Sequence, residues 1–133
     1  KVLNYGIYSK NIQKEIYFDP FHTGQSSLLK KENKNFKRKI ICKFINSKKI
    51  DKFIPIKPID YIVKIDVEGL EKIVLKELMS SKIFKNVKSI YIEINNPKDF
   101  SIIKKNLSKF NFKFKGPFVK QLTKDYLFIK NES

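Results

Sequence analysis

A chain of 133 residues has room for one compact domain and little for a second. Hydrophobic residues make up 41% and Phe alone occurs 12 times, enough for a packed core and too much for a disordered polyelectrolyte. Cys42 is the only thiol and His22 the only imidazole, which excludes an internal disulfide, a cysteine-based zinc cage and any mechanism that needs two histidines.

The formal net charge of +16 raises nucleic acid or an anionic surface as partners. All the basic residues except Arg38 are lysines, however, and reading guanine or phosphate favours the planar fork of arginine. The lysines are also spread along the chain. Only Lys30 to Lys39 is dense, and Glu32, Asn33 and Asn35 interleave it as in a solvated loop. Compositional drift therefore accounts for the charge better than a specific nucleic-acid site, although a lysine-rich module for nucleic acid or an acidic surface stays as the rival reading. No apolar run reaches the roughly 18 to 20 residues of a membrane span, and no secretory signal is visible, so a cytoplasmic location is the default expectation. The chain begins at Lys1 rather than Met, as a portion cut from a longer one would.

In chain order, Val2 to Tyr8 and Glu15 to Phe18 have strand composition, with Ser9-Lys10-Asn11 as the turn between them. Asp19-Pro20 breaks the pattern, and the region through Gly24-Gln25-Ser26-Ser27 reads as loop. Lys39 to Ile45 suits a strand, followed by a short helix over Ser47 to Phe53 with Ser47 as its N-cap, ended by Pro55 and Pro58. Tyr61, Ile62, Val63, Ile65 and Val67 form a nearly unbroken apolar run, the pattern of a central parallel strand covered on both faces. After Gly69, Leu70, Ile73, Val74, Leu78 and Met79 make a helical stripe that leaves Glu71, Lys72, Lys76 and Glu77 mostly on the other side. Ser89 to Ile94 repeats the strand signal and Asn95-Asn96-Pro97 closes it. A helix follows from about Asp99 to Phe110. Phe112 to Lys115 and Asp125 to Ile129, around Gly116-Pro117, complete the chain as an antiparallel pair. The sum is an α/β fold with a three-layer sheet and a carboxyl-terminal antiparallel strand pair.

Ligands of such sheets gather beyond the carboxyl ends of the strands. Asp66 and Glu68 stand at one such end and Glu93 near another. Residues two apart on an extended strand point the same way, so Asp66 and Glu68 share a face if the strand continues through them. Paired carboxylates suit proton transfer or a cation; equally, Glu68 could serve the positive end of the following helix, with Gly69 there for backbone freedom.

The segment Asp60-Tyr61-Ile62-Val63-Lys64-Ile65-Asp66-Val67-Glu68-Gly69-Leu70-Glu71-Lys72-Ile73-Val74-Leu75-Lys76 resembles the signature of the FkbM-like methyltransferases, in which an apolar strand leads into Lys-Ile-Asp-Val-Glu-Gly, then Glu and a Leu-Lys pair on the helix. Ser89-Ile90-Tyr91-Ile92-Glu93-Ile94 is similar to the strand that follows in that family, and Gly24-Gln25-Ser26-Ser27-Leu28 to its Ser-Ser-Leu segment. The likeness covers most of the chain, with its specific part at Asp66 to Glu71.

The resemblance implies S-adenosylmethionine-dependent methyl transfer, usually to a hydroxyl of a sugar, lipid or other natural product, on a Rossmann-like sheet. It implies catalytic roles for Asp66, Glu68 and Glu93, with Asp66 beside both cofactor and acceptor. Ser9 takes the adenine-side position, followed here by Lys10 where family members often carry an acid. His22, Ser26 and Ser27 belong to an acceptor-side loop; a lone histidine there is more often an ordinary half-exposed residue than a base. A divalent metal is compatible with these carboxylates, and so is a simple proton relay. The glycine-bearing turn and ribose-binding acid that open such enzymes are not found, since Gly6 has no companion glycines and no helix pattern after it. The expectation is a single partial methyltransferase domain over 1–133, truncated at the amino end, inactive alone and weak in cofactor binding. An uncovered sheet edge would then favour self-association unless loops shield it.

Overall fold

The computed structural model describes residues 2–19, 22–27, 38–54, 58–67, 69–117 and 124–131; for 18, 19, 22–27 and 117 it describes the backbone alone. These residues form a mixed α/β structure of two four-stranded mixed sheets and three α-helices.

The first sheet has the order β1-β4-β2-β3. Its strands are β1 (Gly6–Ile7), β2 (Ile12–Asp19), β3 (His22–Ser27) and β4 (Arg38–Ile45). β4 runs parallel to β1 and antiparallel to β2, so the bend at Ser9 to Asn11 does not join neighbouring strands: β4 lies between them. Gly6 makes this closure feasible, because the ring of Phe44 occupies the space a Cβ would need. The Gly24 to Ser27 region, expected as loop, is the outer strand of this sheet. Its pairing comes from β2, through Tyr17 with Ser27 and Phe18 with Ser26. Polar, glycine-containing strands of this kind owe their state to a partner rather than to their own propensity.

Helix α1 (Ser47–Phe53) follows β4. Its N-cap is Asn46 rather than Ser47: the Asn46 side chain accepts the Lys49 backbone N–H at 3.3 Å. The Ser47 N–H goes instead to the Glu77 carboxylate, 30 residues away, at 2.8 Å.

The second sheet has the order β5-β6-β8-β7. β5 (Tyr61–Ile65) and β6 (Val87–Glu93) are parallel, and β8 (Asp125–Lys130) runs antiparallel to both β6 and β7 (Phe112–Pro117). The closing antiparallel pair is therefore present, with β8 inserted against β6. β5, expected at the centre, is an edge strand among the described residues. Ile65 is buried while Ile62 is 81% exposed, so the strand has one covered face and not two. The aliphatic Ile62 on the open side hides the period-two alternation that would have disclosed this.

Helices α2 (Glu71–Ser80) and α3 (Pro97–Ser108) lie side by side, joined by an ion pair of Lys72 with Asp99 at 2.8 Å. Val74, Leu75, Leu78, Ile103 and Leu107 from these helices join Ile65, Ile90, Ile92 and Phe128 from the sheet in one core. Phe100 packs within 4.7 to 6.4 Å, centroid to centroid, of Phe114, Tyr126 and Phe128, which is where part of the Phe-rich composition goes. On the other face of this sheet Ile62, Lys64 and Ile129 are exposed, so among the described residues the helices cover one face. Among the described residues, then, the second sheet has one helical layer packed on it.

Candidate functional site

β5 and β6 end together at the carboxyl edge of their sheet. Lys64 pairs with Tyr91 and Ile65 with Ile92, and Asp66 directly follows β5 while Glu93 is the last residue of β6. Glu93 in turn pairs with Asp125 at the start of β8. This edge thus carries Asp66, just past the end of β5, and the paired residues Glu93 and Asp125. Side chains from the row behind offset their repulsion. Lys64 Nζ lies 2.9 Å from Asp66 Oδ2, and the Tyr91 phenol donates to Asp125. The Asp66 hydrogen bond, with its charge, raises the Lys64 pKa above the ordinary lysine value. Partial desolvation, then the bond to Asp125, raises that of Tyr91.

Asp66 keeps 47% of its side chain exposed and is within reach of a ligand in solution. Three clefts bordered by described residues, between α2 and α3, beside Phe84 and Phe110, and beside β1, do not include it. The carboxylate row is better described as a shelf at the sheet edge. No three His, Cys, Asp or Glu side chains among the described residues converge as a metal cage would require.

The turn leaving β5 explains how this edge is held. The strand stops at Ile65, Leu70 N–H bonds to Val67 O at 2.8 Å, and Gly69 takes φ of +87°, a conformation glycine adopts without strain. The two-residue alternation that would have aligned Asp66 with Glu68 therefore does not continue past Ile65, and Glu68 itself lies outside the described residues. Glu71 takes the position at the helix start. Expected on the outer face of α2, it is only 1% exposed, and its Oε1 accepts the Gly69 N–H at 2.9 Å and the Asn95 side-chain amide at 3.4 Å. Asn95 Oδ1 accepts in turn from Lys124 Nζ at 2.9 Å. One buried carboxylate thus ties the ends of β5 and β6 to the residue before β8. Glu77 is also buried, for its bond to α1, so two of the acids assigned to the polar side of α2 are structural. The available signal was an acid two residues after a glycine at a helix start, where N–H groups need acceptors.

The remaining site residues fall elsewhere. Ser9 is exposed in the bend after β1 and His22, Ser26 and Ser27 lie in β3 of the first sheet, while Glu93 ends β6 of the second sheet and Asp66 follows its β5. The side chains of His22, Ser26 and Ser27 are outside the described set. The glycines decide how well a nucleoside cofactor fits. Gly6 has the Phe44 ring against it, and Gly69, whose Cβ side is open, stands alone. The described residues form no glycine-rich cradle of the kind S-adenosylmethionine would need.

Comparison with family models, with curated proteins and with solved structures found no match to this chain.

Proposed function

We propose that this chain takes part in S-adenosylmethionine-dependent methyl transfer to a hydroxyl of a sugar, lipid or other natural product, contributing the acceptor side of the site. The observation that carries the reading is the exposed Asp66 carboxylate just past the end of β5, within the segment Lys64 to Glu71 that resembles the FkbM-like signature. A hydroxyl lying along this edge would donate its hydrogen bond to Asp66, which orients the oxygen lone pair and can take its proton as the oxygen becomes a nucleophile. Lys64 restrains the carboxylate from behind, and Glu71 holds the turn on which Asp66 sits. No step is assigned to the cofactor itself, because the described residues do not form its cradle.

The test is label transfer from methyl-tritiated S-adenosylmethionine to a panel of sugar and glycolipid hydroxyls by the protein. Asp66→Asn should lower turnover by about a hundredfold or more, the range general-base groups supply. Unchanged turnover would remove Asp66 from the reaction. Calorimetric titration of the 133-residue chain should show weak cofactor binding or none, and micromolar binding would contradict the acceptor-side assignment.

A further inference from the structure

We propose that two copies of this chain join edge to edge through β5, antiparallel about a two-fold axis at Ile62, so that the second sheets of both copies become one. The inference does not depend on the methyl-transfer reading.

β5 ends the strand order β5-β6-β8-β7, so among the described residues one of its sides has no partner for the backbone N–H and C=O groups. Edge strands are ordinarily blocked by a charged residue, and Lys64 stands where such a block would act. The block is conditional. Ile62 and Lys64 share one side of β5 by strand alternation. Asp60, one residue before the strand, continues the two-residue interval, so that an extension of the strand by one residue on pairing gives an acid, an aliphatic and a base in a row. That row is complementary to its own reverse. Antiparallel pairing about Ile62 sets Ile62 against Ile62 and each Asp60 against the second copy's Lys64, two ion pairs flanking an apolar contact.

The exposed Lys64 would exchange its Asp66 partner, at 2.9 Å, for the second copy's Asp60. Ile62 is among the most exposed large hydrophobic residues, and the Asp60 and Lys64 side chains are 71% and 64% exposed. Asp60 reaches its present partner, Lys88, only at 3.8 Å. Other registers lose the match. A shift by two residues in one direction sets Asp60 against Asp66, and in the other it sets Lys64 against Pro58. A shift by one residue sets the open-face row of one copy beside the helix-covered row of the other. The Lys64 charge therefore permits a single register, and a second copy is the partner that carries the complementary row.

Sedimentation velocity over about 1 to 200 µM protein, in about 0.3 M salt to screen the repulsion between copies of this basic chain, reads the association. The native chain should show a concentration-dependent monomer–dimer equilibrium. Ile62→Lys should abolish it, Asp60→Lys and Lys64→Asp should each weaken it at least about tenfold, and the double exchange Asp60→Lys with Lys64→Asp should restore it. All these sites are exposed, and far-UV circular dichroism checks that each variant folds; Ile62→Lys alone keeps the test readable if the double exchange does not. A monomer at every concentration, open-ended aggregates, a dimer indifferent to Ile62→Lys, or single-charge defects that the folded double exchange fails to rescue would each overturn the proposal.

Discussion

The carboxylate of Glu71 accepts the Gly69 backbone N–H at 2.9 Å from a site only 1% exposed, and this contact closes the turn that carries Asp66. Removing the acceptor leaves that N–H and the Asn95 amide without their Glu71 partner. Glu71→Ala should cost about 1 to 3 kcal/mol in urea unfolding, whereas Glu71→Gln, which keeps an acceptor oxygen, should cost less. Equal losses for the two variants would show that packing volume matters more than the hydrogen bonds.

Gly69 and Gly6 should fail for different reasons. At Gly69 an added Cβ meets nothing within 4 Å, so Gly69→Ala pays only for φ of +87°, about 1 to 2 kcal/mol, and Gly69→Asn should pay less because Asn tolerates this region. At Gly6 the backbone is unremarkable and the added methyl meets the Phe44 ring. Gly6→Ala should therefore be partly rescued by Phe44→Leu, while Gly69→Ala should not. Thermal midpoints of the single and double variants decide it.

Glu77 acts on α1 across 30 residues of sequence by accepting the Ser47 N–H at 2.8 Å. Glu77→Ala should lower stability by about 1 kcal/mol and speed hydrogen exchange in the first turn of α1 more than in α3. A uniform rise in exchange across the chain would mean that the contact supports the whole core rather than one helix end.

The alkaline limb of stability should report Tyr91 and Lys64. Both pKa values are raised on folding, Tyr91 by desolvation and its bond to Asp125, Lys64 by its bond to and charge attraction from Asp66. In each case the protonated form is favoured in the folded state, so the contribution is complete below the unfolded values of 10.0 and 10.5 and is lost as pH rises through the folded ones. Tyr91→Phe should delete a late-ionising component from the tyrosinate absorbance titration and flatten the decline of stability at high pH. A Tyr91→Phe titration that loses an early component instead would reverse the assigned direction.

Much of the architecture around the shelf is legible in the residues themselves. The apolar run ending at Asp66, the helical stripe from Leu70 to Met79, the Ser89 to Ile94 strand and the closing strands all have periods or compositions that local geometry dictates, and they appear in the structure at nearly those bounds. Asp66 at a strand end is likewise a local fact. Neighbours remote in sequence decided the rest. β3 is a strand because β2 pairs with it, and β5 is an edge because no described segment lies beyond it. Glu71 and Glu77 are buried because a turn, an asparagine and a helix start each present N–H groups to them.

Charge and hydropathy determine whether a residue prefers water, and the sequence by itself determined the elements on that basis. Tertiary structure decided which acids met water and which met backbone amides. A carboxylate is satisfied by either, so Asp66 could end as a solvent-facing group and Glu71 as a buried strut without any difference in their intrinsic chemistry.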